Sequence, residues 1–276
     1  MVTGSSTAAR RQLGRQLRTL REGAGKTRDD VATTRLMSRQ KLEKLEFGKV
    51  SIRPGDVYEL CQLYGAPTDL TERLREMALA TTQDAWWQEH TGNLTRGFQN
   101  YLGLEEVAAA CWVYEPEVIE GLLQTETYAR AVERASTPPG LTVEEIEQLV
   151  QVRMGRQRTL FGRRRPLRLR VVLGEAALRL RVGSPEVMTE QYRQLHRMTR
   201  HDHIELWVLP FVAGPHRGLL GGFRLLDFND PADPPVVYTQ SYVWARYNDR
   251  PSHVEYHRDV LRHLESLAVP LKEFAP

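Results

Sequence analysis

The chain has 276 residues, a formal net charge of +3, 41% hydrophobic and 26% charged residues, a composition that excludes a disordered or fibrous protein and is enough for more than one small domain. Two cysteines, Cys61 and Cys111, read as lying in apolar helical contexts, provide neither a disulfide framework nor a metal-ligand spacing. With no apolar run of about 18 residues and no signal-peptide core at the start, export and membrane insertion are not expected, and a cytoplasmic location is. Arginine outnumbers lysine 33 to 5, a bias that reflects a GC-rich genome more than a function. In the first helix Leu13, Leu17 and Leu20 form one apolar stripe, ringed by Arg10, Arg11, Arg15, Arg18 and Arg21. A short second helix begins at Thr27, which stands at capping-box spacing from Asp30, with Val31 and Ala32 facing inward. Ser38 caps a third helix whose Leu42 and Leu45 point back to the first two, leaving Arg39, Gln40, Lys41 and Lys44 exposed. Pro54 opens a fourth helix through Val57, Leu60, Cys61 and Tyr64, and Thr68 caps a fifth through Leu70, Leu74 and Met77.

Charge sharpens this pattern. Residues 1–50 carry twelve Lys and Arg against five Asp and Glu, 12 − 5 = +7, so the rest of the chain sums to −4. A basic helical surface attracts the phosphate backbone of double-stranded DNA and gains affinity by releasing counterions. On the exposed face of the third helix, Gln40 has the chemistry for a bidentate contact to adenine, and Arg39 or Lys44 for guanine O6 and N7. Arg28, Lys41 and Lys49, at a helix start, a flank and a loop, suit phosphate contacts, and Ser38 belongs to the same surface through its cap.

These residues resemble the helix-turn-helix domain of the lambda-repressor-like (XRE) transcription regulators. Ala32 takes the small position where two helices cross, Val31, Leu42 and Leu45 the apolar positions, and Glu46 with Gly48 the E-x-G after the recognition helix. One departure is Leu36, at the turn that usually carries glycine, so the turn either holds a leucine at positive φ, at a cost of about 1 kcal/mol, or is built differently. The resemblance implies a five-helix all-α domain over 1–80 that binds DNA as a homodimer on a pseudo-palindromic operator.

A connecting segment is expected over 81–102, where Trp86, Trp87, Phe98 and Tyr101 argue against a bare linker. A second domain, 103–276, opens with helices through Tyr128, Ala129 and Val132 and from Thr142, at capping-box spacing from Glu145. The period then changes: runs from Leu167, Ile204, Gly222, Pro235 and Tyr242 read as strands, with helices from Gly174, from Pro185 after Ser184, and over Pro251–Leu267. The expectation is an α+β domain with an antiparallel sheet. Trp112, Trp207, Trp244 and Tyr242 supply aromatic surface for a core as well as for a pocket.

The order and spacing of four blocks in this part, YEPEVIEGLLQTETYARAV from Tyr114, RMGRQRTL from Arg153, VVLGEAALRLRVGSPEVMTEQYRQL from Val171 and VLPFVAGPHRGLLGGFRLLDF from Val208, resemble a domain of unknown function paired with XRE-type domains in actinobacterial regulators, the Scr1-type or antitoxin-like domain. Glu120 stands where that family commonly has proline. The resemblance implies a transcription regulator with no catalytic residues and no cofactor, often encoded beside a small protein partner; an antitoxin-like protein that sequesters such a partner and autoregulates is the alternative it carries. The loop of residues 214–223, with His216 and Arg217 between two strands, reads as a plain hairpin or as the lip of an effector or partner site. Other signals carry less. The run 22–27, EGAGKT, is no P-loop because Leu20 stands where its first glycine belongs. His201 with His203 and His253 with His257 lack the further ligands of a metal site, and Arg163 to Arg165 read as a solvated loop or as a contact to DNA or an acidic partner.

Overall fold

The computed structural model describes residues 6–48, 50, 52–82, 94–136, 141–229, 233–241 and 245–274. They divide into two compact units, one within Met1–Glu89 and Gln99–Val107, the other within His90–Phe98 and Ala108–Pro276.

The first unit is helical: α1 Ser6–Gly23, α2 Arg28–Thr33, α3 Arg39–Glu46, α4 Pro54–Tyr64 and α5 Thr68–Thr82, while α6 Arg96–Val107 runs through the end of the expected connecting segment. Leu13 and Leu17 of α1, Val31 of α2, Leu42 and Leu45 of α3, and Val57, Leu60, Leu74 and Ala78 of α4 and α5 close one core. Its helix starts follow from local chemistry. Thr27 and Asp30 form both halves of a capping box, Ser38 Oγ accepts from Lys41 N at 3.2 Å, and Pro54 stands in the first turn of α4. Thr68 begins α5 within the helix, and it is the Thr71 hydroxyl that reaches back to the Pro67 carbonyl.

The turn between α2 and α3 differs from the expectation at Leu36. The residue in the left-handed region is Arg35, at φ 60°. Arg35 is exposed and bears the strain where no packing is lost, while Leu36, one position on, packs partly buried against the core.

The second unit is an α+β layer structure around a seven-stranded sheet in the order β6-β5-β4-β1-β2-β3-β7. The strands are β1 Ala110–Glu115, β2 Arg168–Gly174, β3 Ile204–Leu209, β4 Phe223–Asp227, β5 Val236–Gln240, β6 Ala245–Asn248 and β7 Val269–Pro270. The sheet is mixed: β1, β2 and β3 run parallel, and every other pairing is antiparallel. The sheet is thus mostly antiparallel, as expected, and the parallel centre was not visible because β1, whose residues are buried on both faces, lacks the alternation of a half-exposed strand. Cys111 accordingly lies in a central strand, not a helix. Tyr242 and Trp244, read as part of a strand and as aromatic surface, lie outside the described residues.

Helices α7 Glu126–Ser136, α8 Val143–Gly162, α9 Glu175–Arg179, α10 Pro185–Met198 and α11 Pro251–Leu267 complete the unit. Thr142 and Glu145 make the capping box of α8; Ser184 precedes α10 but spends its hydroxyl on Glu186. Side chains alternate across a strand, and the set Tyr114, Val172, Leu209, Phe223, Leu225 and Val237 meets Val254, Val260, Leu261 and Leu264 of α11. Glu115, Arg224 and Gln240 have the opposite parity on β1, β4 and β5 and point to the other face.

Candidate nucleic-acid interface

Helix α3 has eight residues, so its two faces can be assigned one by one. Leu42, Leu45 and Glu46 are buried, and Arg39, Gln40, Lys41, Glu43 and Lys44 are exposed. At 3.6 residues per turn the direction opposite the buried set falls between Gln40 and Lys44, with Lys41 and Glu43 on either side and Arg39 at the edge. Lys41 Nζ reaches Asp56 at 3.4 Å and Arg39 Nη1 reaches Asp29 at 3.5 Å, both on the exposed surface. Such exposed pairs are weak, so phosphate can replace either acid. Ser38 is occupied by its cap, and Lys49 lies outside the described residues. Glu43 escaped the sequence reading, although helical spacing puts it on this face and a carboxylate there accepts from cytosine N4.

What fixes this face in space is a buried carboxylate. Glu46 closes α3 with its side chain 1% exposed, and it accepts from Arg21 Nε of α1 at 2.5 Å, Arg21 Nη2 at 3.1 Å and Arg28 Nε of α2 at 2.8 Å. Arg21 adds a bond to the Lys26 carbonyl at 2.8 Å, and its hydrogen bond to Glu46 outweighs burial and keeps the guanidinium above its ordinary range. One carboxylate thus ties α3 to both helices behind it. Arg28, expected at phosphate, is committed through Nε to this tie and lies over the Phe47 ring at 5.8 Å.

Two glycines set the closeness of α1 to α3. A Cβ at Gly14 would come within 2.3 Å of the Leu45 carbonyl oxygen. Gly48, at φ 65°, turns the chain out of α3, and a Cβ there would meet Arg11 backbone at 2.7 Å. The E-x-G string therefore has a physical reading: Glu46 is the tie and Gly48 the turn that lets α1 approach. A shallow groove of about 440 Å³ beside α1 and α2 is lined by Arg18, Lys26, Arg28 and Arg39 together with Glu22 and Asp29, which pair with Arg18 and Arg39.

A helix-turn-helix domain model matches residues 12–74, and the model of a domain of unknown function, DUF5753, matches residues 98–273. The chain belongs to the DUF5753 family. No curated protein and no solved structure matches it. In this DUF5753 protein the helix-turn-helix match falls on the unit that carries the α3 face, which supports a DNA-binding regulator. Its Glu120, in place of the expected proline, is a fully buried carboxylate that caps a 3₁₀ turn at Gly121–Leu123 and pairs with Arg224 Nη2 at 2.6 Å.

The loop with His216 and Arg217 borders a cleft of about 420 Å³ with Tyr114, Glu175 and Phe211. His216 Nδ1 accepts from Gly218 N at 3.1 Å, its ring stands edge-on to Tyr114 at 6.0 Å, and burial, with His263 second, lowers its pKa; Arg217 is exposed. Among the described residues no group of three His, Cys, Asp or Glu is placed to hold a metal ion, and no helix is long and apolar enough to cross a membrane. The His253 carbonyl bonds His257 Nδ1 at 2.7 Å within α11, and Arg163 Nη2 donates to the Ala108 carbonyl at 2.6 Å.

Proposed function

We propose that this DUF5753 protein is a sequence-specific transcription regulator that binds a pseudo-palindromic operator as a homodimer. The exposed α3 face, tied to α1 and α2 through Glu46, is the observation that carries this reading. Gln40 and Lys44 at its centre read base edges with Arg39 and Glu43, Lys41 and Lys49 hold phosphates, and Arg28 positions the helix first and meets phosphate second. One recognition helix spans only a few base pairs, and two half-sites about one helical turn apart multiply specificity. In this reading the protein works in the cytoplasm, needs no cofactor and has no catalytic residue, and the second unit receives a signal that shifts DNA affinity. The signal can act only by binding one state better than the other.

The test is fluorescence anisotropy on DNA from upstream of the protein's own gene, against scrambled DNA, at two salt concentrations. A preference of ~10³ or more that persists at the higher salt is expected, with loss of binding and an unchanged circular dichroism spectrum when Arg39, Gln40 and Lys44 are all replaced by alanine. Equal binding to both DNAs, collapsing together with salt, overturns the specific reading.

One observation favours a second reading, an antitoxin-like protein that sequesters a small partner and autoregulates. Phe211, Val212, Leu219 and Leu220 are exposed around the His216 loop, a cluster of apolar side chains of the kind protein partners cover. Co-purification of a stoichiometric small protein, lost on replacing Leu219 and Leu220 by serine, selects this reading.

A further inference from the structure

Strands β1, β2 and β3 run parallel, and in open sheets with parallel strands ligands bind outside the carboxyl ends of those strands, where the chain leaves for a loop. The cleft of about 420 Å³ lies at this end and is within the size range of small-molecule sites. Its lining takes Tyr114 and Pro116 from the end of β1, Gly174 and Ala176 from the end of β2, and Leu209 and Phe211 from the end of β3. The loop with His216, Gly218 and Leu219 makes the remaining wall. These parts are pressed together. A Cβ at Gly174 would lie 2.4 Å from the Pro116 carbonyl oxygen, and one at Gly218 would lie 2.6 Å from Tyr114 Cε1, so the loop rests on the tyrosine ring.

Tyr114 is only 2% exposed, and its hydroxyl has no hydrogen-bond partner among the described residues. Tyr128 and Tyr238, buried in the same unit, differ: Tyr128 Oη accepts from Ile119 N at 3.5 Å, and Tyr238 Oη donates to Gln240 Oε1 at 2.8 Å. A buried hydroxyl is costly to leave unpaired, so the Tyr114 group is left for a partner from outside the chain. His216 adds a second such group. Its Nδ1 accepts from Gly218 N at 3.1 Å, and because a backbone N–H can only donate, the proton of the neutral ring sits on Nε2, which has no partner among the described residues. Of the two acids in the lining, Glu175 is spent, its Oε2 accepting from Phe211 N at 2.7 Å and its Oε1 from Arg179 Nε at 2.5 Å, while Glu117 lies exposed at the rim. The polar side-chain groups left to a ligand are therefore a hydroxyl and a ring N–H, set among Leu209, Phe211 and Leu219.

We propose that this cleft binds a small, mostly apolar, uncharged molecule whose carbonyl oxygen accepts from the Tyr114 hydroxyl, with the His216 N–H as the second donor. The ring N–H can only donate, which selects an acceptor, and the two carboxylates of the lining disfavour an anion. Val212 and Leu220, each 92% exposed, lie outside the lining, so the cleft is distinct from the outer apolar surface of the loop. The proposal deepens the reading of the second unit as the receiver of a signal and rests on it for the use of the ligand, not for its binding. Its test uses no DNA, so its failure leaves the DNA-binding reading untouched, and a ligand that binds without altering DNA affinity overturns only the signal.

The probes are prodan, an uncharged naphthalene ketone whose emission moves to the red when its carbonyl accepts hydrogen bonds, and 2-(dimethylamino)naphthalene, the same skeleton without the ketone, titrated by fluorescence into the full-length protein. Saturable 1:1 binding of prodan, at least about fivefold tighter than the plain amine, is expected from one hydrogen bond made in a buried site. Tyr114→Phe removes a hydroxyl that no described residue uses, so folding is expected to be unchanged. It should weaken prodan about fivefold, move the bound emission to the blue, and change the amine less than about twofold. Ala176→Trp, which fills the cleft, removes both dyes, and Val212→Ser with Leu220→Ser changes neither. Should Ala176→Trp fail to fold, Tyr114→Phe alone decides. Equal affinity for the two dyes, or prodan binding whose affinity and emission are untouched by Tyr114→Phe, overturns the proposal. So does prodan binding that is lost with Val212 and Leu220, the result expected if the dye only coats the outer apolar surface.

Discussion

Replacing Glu46 by alanine removes three hydrogen bonds from a carboxylate that is 1% exposed and leaves Arg21, 7% exposed, with only the exposed Glu22 at 3.2 Å as an ion partner. Breaking a buried pair from one side costs about 3–5 kcal/mol. The helical unit, at about 0.05–0.15 kcal/mol per residue over roughly 75 residues, has about 4–11 kcal/mol in total, so the variant is close to unfolding. With a urea slope near 1 kcal/mol per molar, the midpoint falls by about 3 M. Far-UV dichroism sums the helices of both units, so the loss is read as the component of the urea transition that moves in Glu46→Ala. The component of the second unit should stay in place. Arg21→Met with Glu46→Leu restores most of the loss, because two apolar side chains replace a pair and Arg28, 26% exposed, can turn to water. A loss under about 1 kcal/mol for Glu46→Ala, or no recovery in the double variant, refutes the claim that this carboxylate holds the recognition helix.

Arg18→Ala, which breaks only the half-exposed pair with Glu22, should shift the same transition by less than about 0.5 kcal/mol. Gly14→Val should abolish operator binding in anisotropy and destabilise the first unit, since its Cβ would overlap the Leu45 carbonyl and force α1 away from α3. Arg35→Gly should be neutral or stabilising by up to about 1 kcal/mol in urea melts, because relief at φ 60° offsets the entropy of glycine, whereas Leu36→Gly should destabilise through lost packing. Glu115 titrates higher in the folded protein than in the unfolded chain, so the folded state binds the extra proton between about 4.5 and 7 and stability falls as pH rises through that window. Glu115→Gln should flatten the decline in melting temperature of the second unit from pH 5 to pH 8; an unchanged slope would show that another group causes it.

Much of the first unit is legible from sequence because its signals are local. Thr27 and Asp30, Ser38 and Pro54 each act within one helical turn, and the leucine stripes have one period. The exposed α3 face follows from the same spacing. The tie beneath it does not: Arg21 and Glu46 are 25 residues apart, and in the sequence Arg21 is one more arginine among five around α1. Arg35 took the strain expected of Leu36 because the backbone needs one left-handed residue somewhere in the turn, and the exposed position loses no packing there. In the second unit β2 to β5 announce themselves through short apolar runs between turn residues, whereas β1, buried on both faces, reads like the helices before it. The pair of Glu115 and Arg224 is equally hidden, because only the register of β1 against β4, which sets Arg224 opposite Val113, brings these distant positions diagonally together on one face.

That register also orders events during synthesis. Strand β1 is paired on one side by β2 and on the other by β4, which begins at Phe223, so the centre of the sheet stays incomplete until most of the chain has left the ribosome. Helices α1 to α5 make their contacts within about eighty residues and can fold while the rest is still being made. In a growing polypeptide the surface read here as DNA-binding is therefore finished well before the unit read here as its control. A nascent or truncated chain would carry the first without the second.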